Sequence, residues 1–526
     1  MAWDGNQEVL IAYSLVHGKY VISKVTGPNS AVVISDGAVL QQDGQIIEVG
    51  GYQDLRSRYP NEEIIGSSNY VVMPGLVNDH FHVGLTPFQM GAPDLPLEMW
   101  MLARIGARAI DPYLDQLYGA VQMIESGTTT VQAIHSAGRG VAPVDMAVAD
   151  KVVKAYQDSG MRVSYAPSIA DQNSMVAGAG GGEEDFAAQM PGDLAERYRS
   201  FMARSYWPVD DVMPILEEIC FKYGNNRHER VQVVMAPSNV HRCTDEMLVA
   251  LKDMATRHQT GIHIHLQETV YQKLFGLQAW NKTPLQHLND LGFLGPEITC
   301  GHSVWATDED IALMAATGTN VCHNASSNLR LQSGIAPIGK ILAAGVRVAM
   351  GSDEAGINDD KDLFQEMRMV LKLHRVPGIE HTPPTSYQVL EMATVNGAYA
   401  SMFGDRIGTL EAGKRADMIL LDLRNIEEPY LDPEVPMVDA VVHRGRSIDV
   451  DTVIVDGEVV MRDRQLTKID KAGLFKELKE ALDRPLTPQE LERRELSWLV
   501  EPHLRQFYQG SIPMNTTPHT NYNAQS

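Results

Sequence analysis

The middle of the chain alternates between short apolar runs and longer stretches of helical periodicity. Eight runs stand out: VVMPGLVNDH, TTTVQAIH, MRVSYAPSI, VQVVMAPSN, TGIHIHL, ITCGHSV, TNVCHNA and VRVAMGSD. They are apolar almost throughout rather than at every second position, the pattern of strands covered on both faces. Between them lie segments such as LDQLYGAVQMIESG and TDEMLVALKDMATRHQ, whose apolar residues recur every three or four positions. Strand and helix in alternation predict βαβ units around a parallel sheet, and eight units are the number that closes a (β/α)8 TIM-type barrel.

The two ends of the chain have a different texture. From about Ala31 to Val72 the sequence reads as short strands with glycine turns: AVVISDGAVL, GQIIEVGGY, IIGSSNYVVMPG. It returns to this texture after Gly408-Thr-Leu-Glu-Ala-Gly413, in ADMILLDL, AVVHRG and TVIVDGEVV. The expected architecture is therefore α/β: a barrel over 73–404 and a small β-sandwich domain formed from both chain ends, 1–72 and 405–468. Residues 469–526 read as a charged helical extension whose last stretch, SIPMNTTPHTNYNAQS, lacks apolar periodicity and is expected to be disordered. After the third run the spacing stretches over about residues 174–207. That insertion reads either as a lid, hinged at Gly178 and Gly180 to Gly182 with Tyr206 and Trp207 closing over a ligand, or as a surface loop.

Composition narrows the function. With 526 residues, 44% of them hydrophobic, the chain can bury a large core in more than one domain. Lys plus Arg number 44 against 67 Asp plus Glu, and the net charge of -23 argues against nucleic acid or anionic membrane as a partner. The opening MAWDGNQEVLIAYSLVHGKY is too short and too broken by polar residues for a signal peptide or a membrane span, so a cytoplasmic protein is expected. Cys220, Cys243, Cys300 and Cys322 show no CxxC spacing and read as reduced core thiols.

The chemistry concentrates where the runs end. His80 and His82 are two apart, so in a strand both face one side and can hold one metal. His263 and His265 share that spacing, and the sequence must choose between them. Glu268, three residues beyond His265, either reaches a substrate at the metal or begins a helix as a solvated carboxylate. His302 and Asp353 end the sixth and eighth runs. A carboxylate ending a hydrophobic strand is costly to bury unless it meets a metal or a cation. With one oxygen on a metal and the other near His302, Asp353 would hold and deprotonate a water whose pKa the metal lowers. His135 ends the second run and Asn239 and His241 follow the fourth, which places all three on the face where a small-molecule substrate would bind.

In order along the chain, PGLVNDHFH, HLQE, GHSV, HNASSNLRL, GSD and GTLEAGKRADMILLD resemble the landmarks of the amidohydrolase superfamily. The resemblance is to its cytosine deaminase-like branch, which includes adenosine, S-adenosylhomocysteine and guanine deaminases and triazine hydrolases, and it covers nearly the whole chain. It implies His80, His82, His265 and Asp353 as metal ligands, with His302 bonding the metal's water and Glu268 shuttling its proton. The fourth run lacks the lysine that is carbamylated in two-metal members, so one divalent metal ion is implied, zinc first and iron second. The stretch TPFQMGAPDLPLEMW resembles the branch's DLPL segment ahead of a Trp, which would bring Met90 and Trp100 to the pocket. His323, ending the seventh run, would also touch substrate. Branch members usually form dimers or larger rings, so a homo-oligomer is expected. Ala325 stands where deaminases commonly have proline, and Glu354 departs from the frequent GTDG form; both put a nucleoside or purine substrate in doubt.

The function these readings favour is a mononuclear metal-dependent hydrolase that cleaves a C–N bond of a nitrogen-rich heteroaromatic small molecule through a metal-activated water. The alternatives are a hydrolase of a linear amide, urea or carbamate and a dechlorinating triazine hydrolase. A non-catalytic binding protein is a more remote reading, because every ligand position carries a competent residue.

Overall fold

Each of the eight runs forms a strand in the computed structural model, which describes residues 13–136, 144–178, 182–224 and 230–512. Leu76–Phe81, Thr128–His135, Arg162–Ile169 and Val231–Val233 pair in parallel in that order, and Ala236–Pro237, the second half of a broken fourth run, lies beside the third. Ile262–Leu266, Ile298–His302, Asn320–His323 and Val348–Met350 form a second parallel sheet, again in sequence order. Single parallel bridges link the two sheets: Met235 to Ile262 and Asn239 to His265 on one flank, Phe81 to Asp353 on the other. Every residue of Leu76–Phe81, Arg162–Ile169 and Ile298–His302 is buried, which is why these runs read as continuous rather than alternating. The architecture is α/β of the TIM-barrel type, and it brings the carboxyl ends of all eight strands to one face.

Strands from the two chain ends join in one eight-stranded sheet, in the order Gln465–Leu466, Glu458–Arg462, Val450–Val455, Met418–Asp422, Glu63–Pro74, Tyr13–Gly27, Ser30–Gln42, Gln45–Gly51. The seam is antiparallel, with Ile419 opposite Met73. Val16, Val39, Val72, Met418 and Ile454 pack in a core of this sheet's own. One strand goes beyond the sequence reading and one local expectation is corrected. Tyr13–Gly27 is a strand of 15 residues in which Ser14, His17 and Ser23 are buried while Lys19, Lys24 and Thr26 are not. AVVHRG belongs to the helix Met437–Arg444, whose buried Val438, Val441 and Val442 follow a helical rather than a strand period.

A buried ion pair ties the sheet to the barrel. Arg162, at the start of the third barrel strand, holds Asp417 through Nη2 at 2.8 Å and Nε at 3.0 Å, and Asp456 lies 3.3 Å from Nη2. The C-terminal helix Pro488–Tyr508 packs onto the insertion. Leu496, Val500, Leu504 and Tyr508 share a core with Phe186, Leu194, Tyr198 and Phe201 of the helices Glu183–Ala188 and Gly192–Met202. The Glu183 carboxylate accepts from the Ser174 amide at 3.1 Å and from the hydroxyls of Tyr198 and Tyr206. The described part of the insertion is thus a packed helical unit, and Trp207 lies against the main core. The hinge reading at Gly180 and Gly181, and the disorder expected over most of the last stretch, fall outside the described residues. Among those described, no helix is long and apolar enough to cross a membrane, and all four cysteines are buried and free.

Candidate metal centre

Three imidazoles and one carboxylate converge where the first, fifth and eighth strands end. His82 Nε2 lies 3.1 Å from His80 Nε2, 3.2 Å from His265 Nε2 and 3.2 Å from Asp353 Oδ1, and His80 Nε2 is 3.5 Å from the same oxygen. The second nitrogens fix the tautomers. His82 Nδ1 donates to the Ile134 carbonyl at 2.6 Å and His265 Nδ1 to the Ser238 carbonyl at 2.7 Å, so each proton sits on Nδ1 and each Nε2 offers a lone pair. Burial, followed by the neighbouring rings, holds His80 and His265 well below the usual imidazole range, which keeps them neutral. Asp353 is pushed below the ordinary carboxylate range: burial opposes its charge, but the neighbouring His82 and His302 and the hydrogen bond from the Ser327 hydroxyl outweigh it.

This donor set fits a first-row divalent cation. Lone pairs aimed at one another across about 3.2 Å repel unless a positive charge lies between them. A tetrahedron with zinc–nitrogen bonds of about 2.0–2.1 Å has edges of about 3.3–3.4 Å, close to the separations here. His263 points inward as well but meets a different atom: its Nε2 lies 2.8 Å from His80 Nδ1. With His80 Nε2 kept free, the His80 proton sits on Nδ1 and is donated to His263. His263 Nδ1–H then needs an acceptor; the Gln132 side chain faces it with Nε2, and turning that amide over brings Oε1, which has no hydrogen-bond partner among the described residues, to the accepting position. His263 is therefore placed to brace His80, a role the sequence spacing did not show.

His302 and Glu268 flank the cluster. His302 Nε2 lies 3.9 Å from Asp353 Oδ2, and its Nδ1 lies 3.8 Å from Glu268 Oε1 and 2.8 Å from Asn328 Oδ1. Asp353 Oδ2 accepts from Ser327 Oγ at 2.5 Å. Burial raises the Glu268 carboxyl above its usual range, and it does the same for Glu98, pushed up to about 7, whose Oε1 accepts from Thr269 Oγ1 at 2.6 Å. Gln267, His302, Ser303 and Asp353 have φ of 45°, 66°, 50° and 51°, the left-handed region that costs a non-glycine residue energy and marks a backbone held for function. Gly301 and Gly351 make room for His80: a Cβ on either would meet it, at 3.0 Å from Cε1 and 2.4 Å from Cβ respectively.

The remaining sequence candidates divide. His135 and Met90 line a cavity of about 340 Å³ beside the cluster. Burial pulls His135 down to about 4. Trp100 is buried and lines a separate, smaller cavity with Ser327 and Glu354, and the Arg104 guanidinium lies 4.8 Å from its ring centre. Asn239 and His241 turn toward each other, Oδ1 to Nδ1 at 2.9 Å, and their neighbours Ser238 and Arg242 face the cavity instead. His323 is buried with Nε2 2.9 Å from His374 Nε2.

The sequence profile of the Amidohydrolase family matches residues 71–460. A 5'-deoxyadenosine deaminase of Methanosarcina mazei is 31% identical over 455 residues, covering 86% of this chain and 94% of that protein. A 5-methylthioadenosine/S-adenosylhomocysteine deaminase of Syntrophomonas wolfei is 30% identical over 465 residues, covering 87% and 96%. A crystal structure of an adenosine deaminase from Xanthomonas campestris with bound zinc superimposes with a TM-score of 0.76 at 25% identity, covering 90% of this chain and 98% of that one.

Proposed function

The chain belongs to the amidohydrolase family, and from that premise we propose that it is a mononuclear zinc-dependent deaminase of an aminated purine-type ring. It is a hydrolase acting on carbon–nitrogen bonds other than peptide bonds. The observation that carries the finer reading is the convergence of three imidazole lone pairs and the Asp353 carboxylate, with a second, protonatable carboxyl, Glu268, beside them. The names of the relatives, all adenosine-type deaminases, support an aminopurine head despite Ala325 and Glu354.

His80, His82, His265 and Asp353 would hold the ion, and a divalent cation there supplies a water whose pKa falls toward neutrality. Ser327 fixes Asp353 Oδ2 and Asn328 fixes His302, so both side chains are held in one orientation at the edge of this donor set. Glu268 is buried beside these ligands and its carboxyl is raised above the usual range, so it would hold a proton and deliver it to a ring nitrogen or the leaving amine of a bound substrate. The same reading includes a closed eight-stranded barrel over 73–404, a β-sandwich of 1–72 with 405–468, a helical extension over 469–526, a homo-oligomeric state and a cytoplasmic location.

The test measures bound zinc and iron and screens ammonia release from adenosine, 5'-deoxyadenosine and aminated pyrimidines, pterins and triazines. Glu268→Gln should keep about one metal per chain and lose about 10²–10⁴-fold in turnover. Undiminished ammonia release by that variant, or no release from any ring by the wild type, would sink the proposal.

A further inference from the structure

The cavity beside the metal centre has a charge pattern that the chemistry of deamination does not require. Its wall includes Val83, directly after His82, and Ser238, whose carbonyl orients His265, so it adjoins the reacting end of the site. Four arginines face it, Arg104, Arg108, Arg242 and Arg493, against a single carboxylate, Asp115. That carboxylate is committed: it accepts from the amides of Gly84 at 3.0 Å and Leu85 at 2.8 Å. Arg104 is answered by Glu354 at 2.7 Å, and Arg108 donates to the Arg484 carbonyl at 2.7 Å.

Arg242 and Arg493 are different. Among the described residues neither has an ion-pair partner, and each has a buried Nε with no hydrogen-bond acceptor. Arg242 reaches only Ser238 Oγ, from Nη1 at 3.4 Å; Glu268 and Glu98 attract it through space without closing a contact. In a chain of net charge -23 an arginine has carboxylates in abundance, so two unanswered guanidinium groups at one cavity call for a ligand. A guanidinium Nε–H that has lost water without gaining an acceptor is costly, and the half-buried fork beyond it in both residues matches carboxylate or phosphate oxygens.

We propose that Arg242, with Arg493 of the C-terminal helix, binds an anionic group, a carboxylate or a phosphate, on the arm of the substrate that leads away from the reacting ring. The inference rests on the deaminase reading and makes it narrower: among aminated heteroaromatic compounds the enzyme selects negatively charged ones. Arg242 lies on the loop after the fourth strand and Arg493 on the extension, so the extension serves as a wall of the substrate site as well as a packing element.

The test separates charge from ring. The metal-loaded protein is titrated calorimetrically with inosine and with inosine 5'-carboxylate, deaminated ligands that differ at the arm and cannot turn over. The wild type should bind the carboxylate about tenfold more tightly or better at low salt. Arg242→Gln should reduce that preference to within about threefold while leaving inosine affinity nearly unchanged, and Arg242→Lys should restore part of it. Arg493→Gln, at a surface helix, gives the same readout should the first variant fail to fold. Equal affinity of the wild type for the two ligands, a preference that survives both glutamine variants, or binding of neither ligand overturns the proposal. A charge preference in binding without ammonia release from adenosine or its 5'-carboxylate would instead overturn the deaminase reading and leave the anion site standing.

Discussion

Replacing Gly351 by alanine would place a Cβ 2.4 Å from His80 Cβ, 2.8 Å from the His80 backbone nitrogen and 2.6 Å from Asn324 Oδ1. Ordinary contact begins near 3.4 Å, so the first of these separations must open by about 1 Å. Asn324 Oδ1 ends a side chain, but His80 Cβ and the His80 nitrogen cannot retreat without moving the backbone, and the Gly351 amide is itself held by the His323 carbonyl at 3.1 Å. Overpacking of this kind costs about 1–3 kcal/mol of stability. A metal site tolerates ligand displacements of only about 0.2 Å, so a shift several times larger at His80 should weaken zinc by at least the roughly 10–100-fold seen when outer-shell support is lost. Gly301→Ala is the internal control. Its Cβ would lie 3.0 Å from His80 Cε1 and 3.3 Å from His263 Nε2, ring atoms that can give by a few tenths of an ångström, so zinc affinity should fall by less than about tenfold. Chelator competition for zinc on the wild type and both variants, with urea unfolding of the metal-free forms, decides the matter. Wild-type zinc affinity and stability in Gly351→Ala, or greater damage from Gly301→Ala, would refute the reasoning.

Two further outcomes are expected. The buried Glu366 carboxyl, which accepts from the Ser326 amide at 3.2 Å, is raised by burial from 4.5 to about 7. Its folded pKa exceeds the unfolded one, so the folded state binds the proton more tightly; the stabilisation is complete below about pH 4.5 and is lost as pH rises through about 7. Glu366→Gln should remove about 3 kcal/mol of pH dependence between these limits, and unfolding free energies at pH 5 and 8 that change in parallel for the two proteins would contradict it. Arg162→Met leaves Asp417 buried without its partner and should cost about 3–5 kcal/mol, whereas Arg162→Met/Asp417→Leu should recover most of that loss. Urea midpoints measure both, and a single variant as stable as the wild type would mean that the pair is not held as described.

The eight strands and the ends of four of them were legible in the sequence because buried parallel strands are apolar throughout and functional residues interrupt that pattern only at the carboxyl end. The choice between His263 and His265 was not legible. Both face inward by the two-residue period, and what distinguishes them is the depth at which each meets a partner: Ser238's carbonyl for His265, the His80 ring for His263. The helix Met437–Arg444 was hidden for a related reason, since a short window of apolar residues fits either period. Arg242 carried no signal of its own. A single arginine after a strand is common, and its meaning comes from the carboxylates that the fold withholds from it, along with an Arg493 some 250 residues later in the chain.

The seam of the terminal sheet sets a schedule for biosynthesis. Glu63–Pro74 leaves the ribosome well before the strand that covers its open edge, Met418–Asp422, which follows some 340 residues later. At about 5–20 residues per second, that edge, with Val71, Val72 and Met73 on it, stays unpaired for roughly 20–70 s of translation. An uncovered apolar edge of that length is a template for pairing with another nascent chain. Chains that end between Asp353 and Met418 should therefore aggregate even though they carry every residue of the metal cradle, and yield in the cell should respond to chaperones that shield Glu63–Pro74.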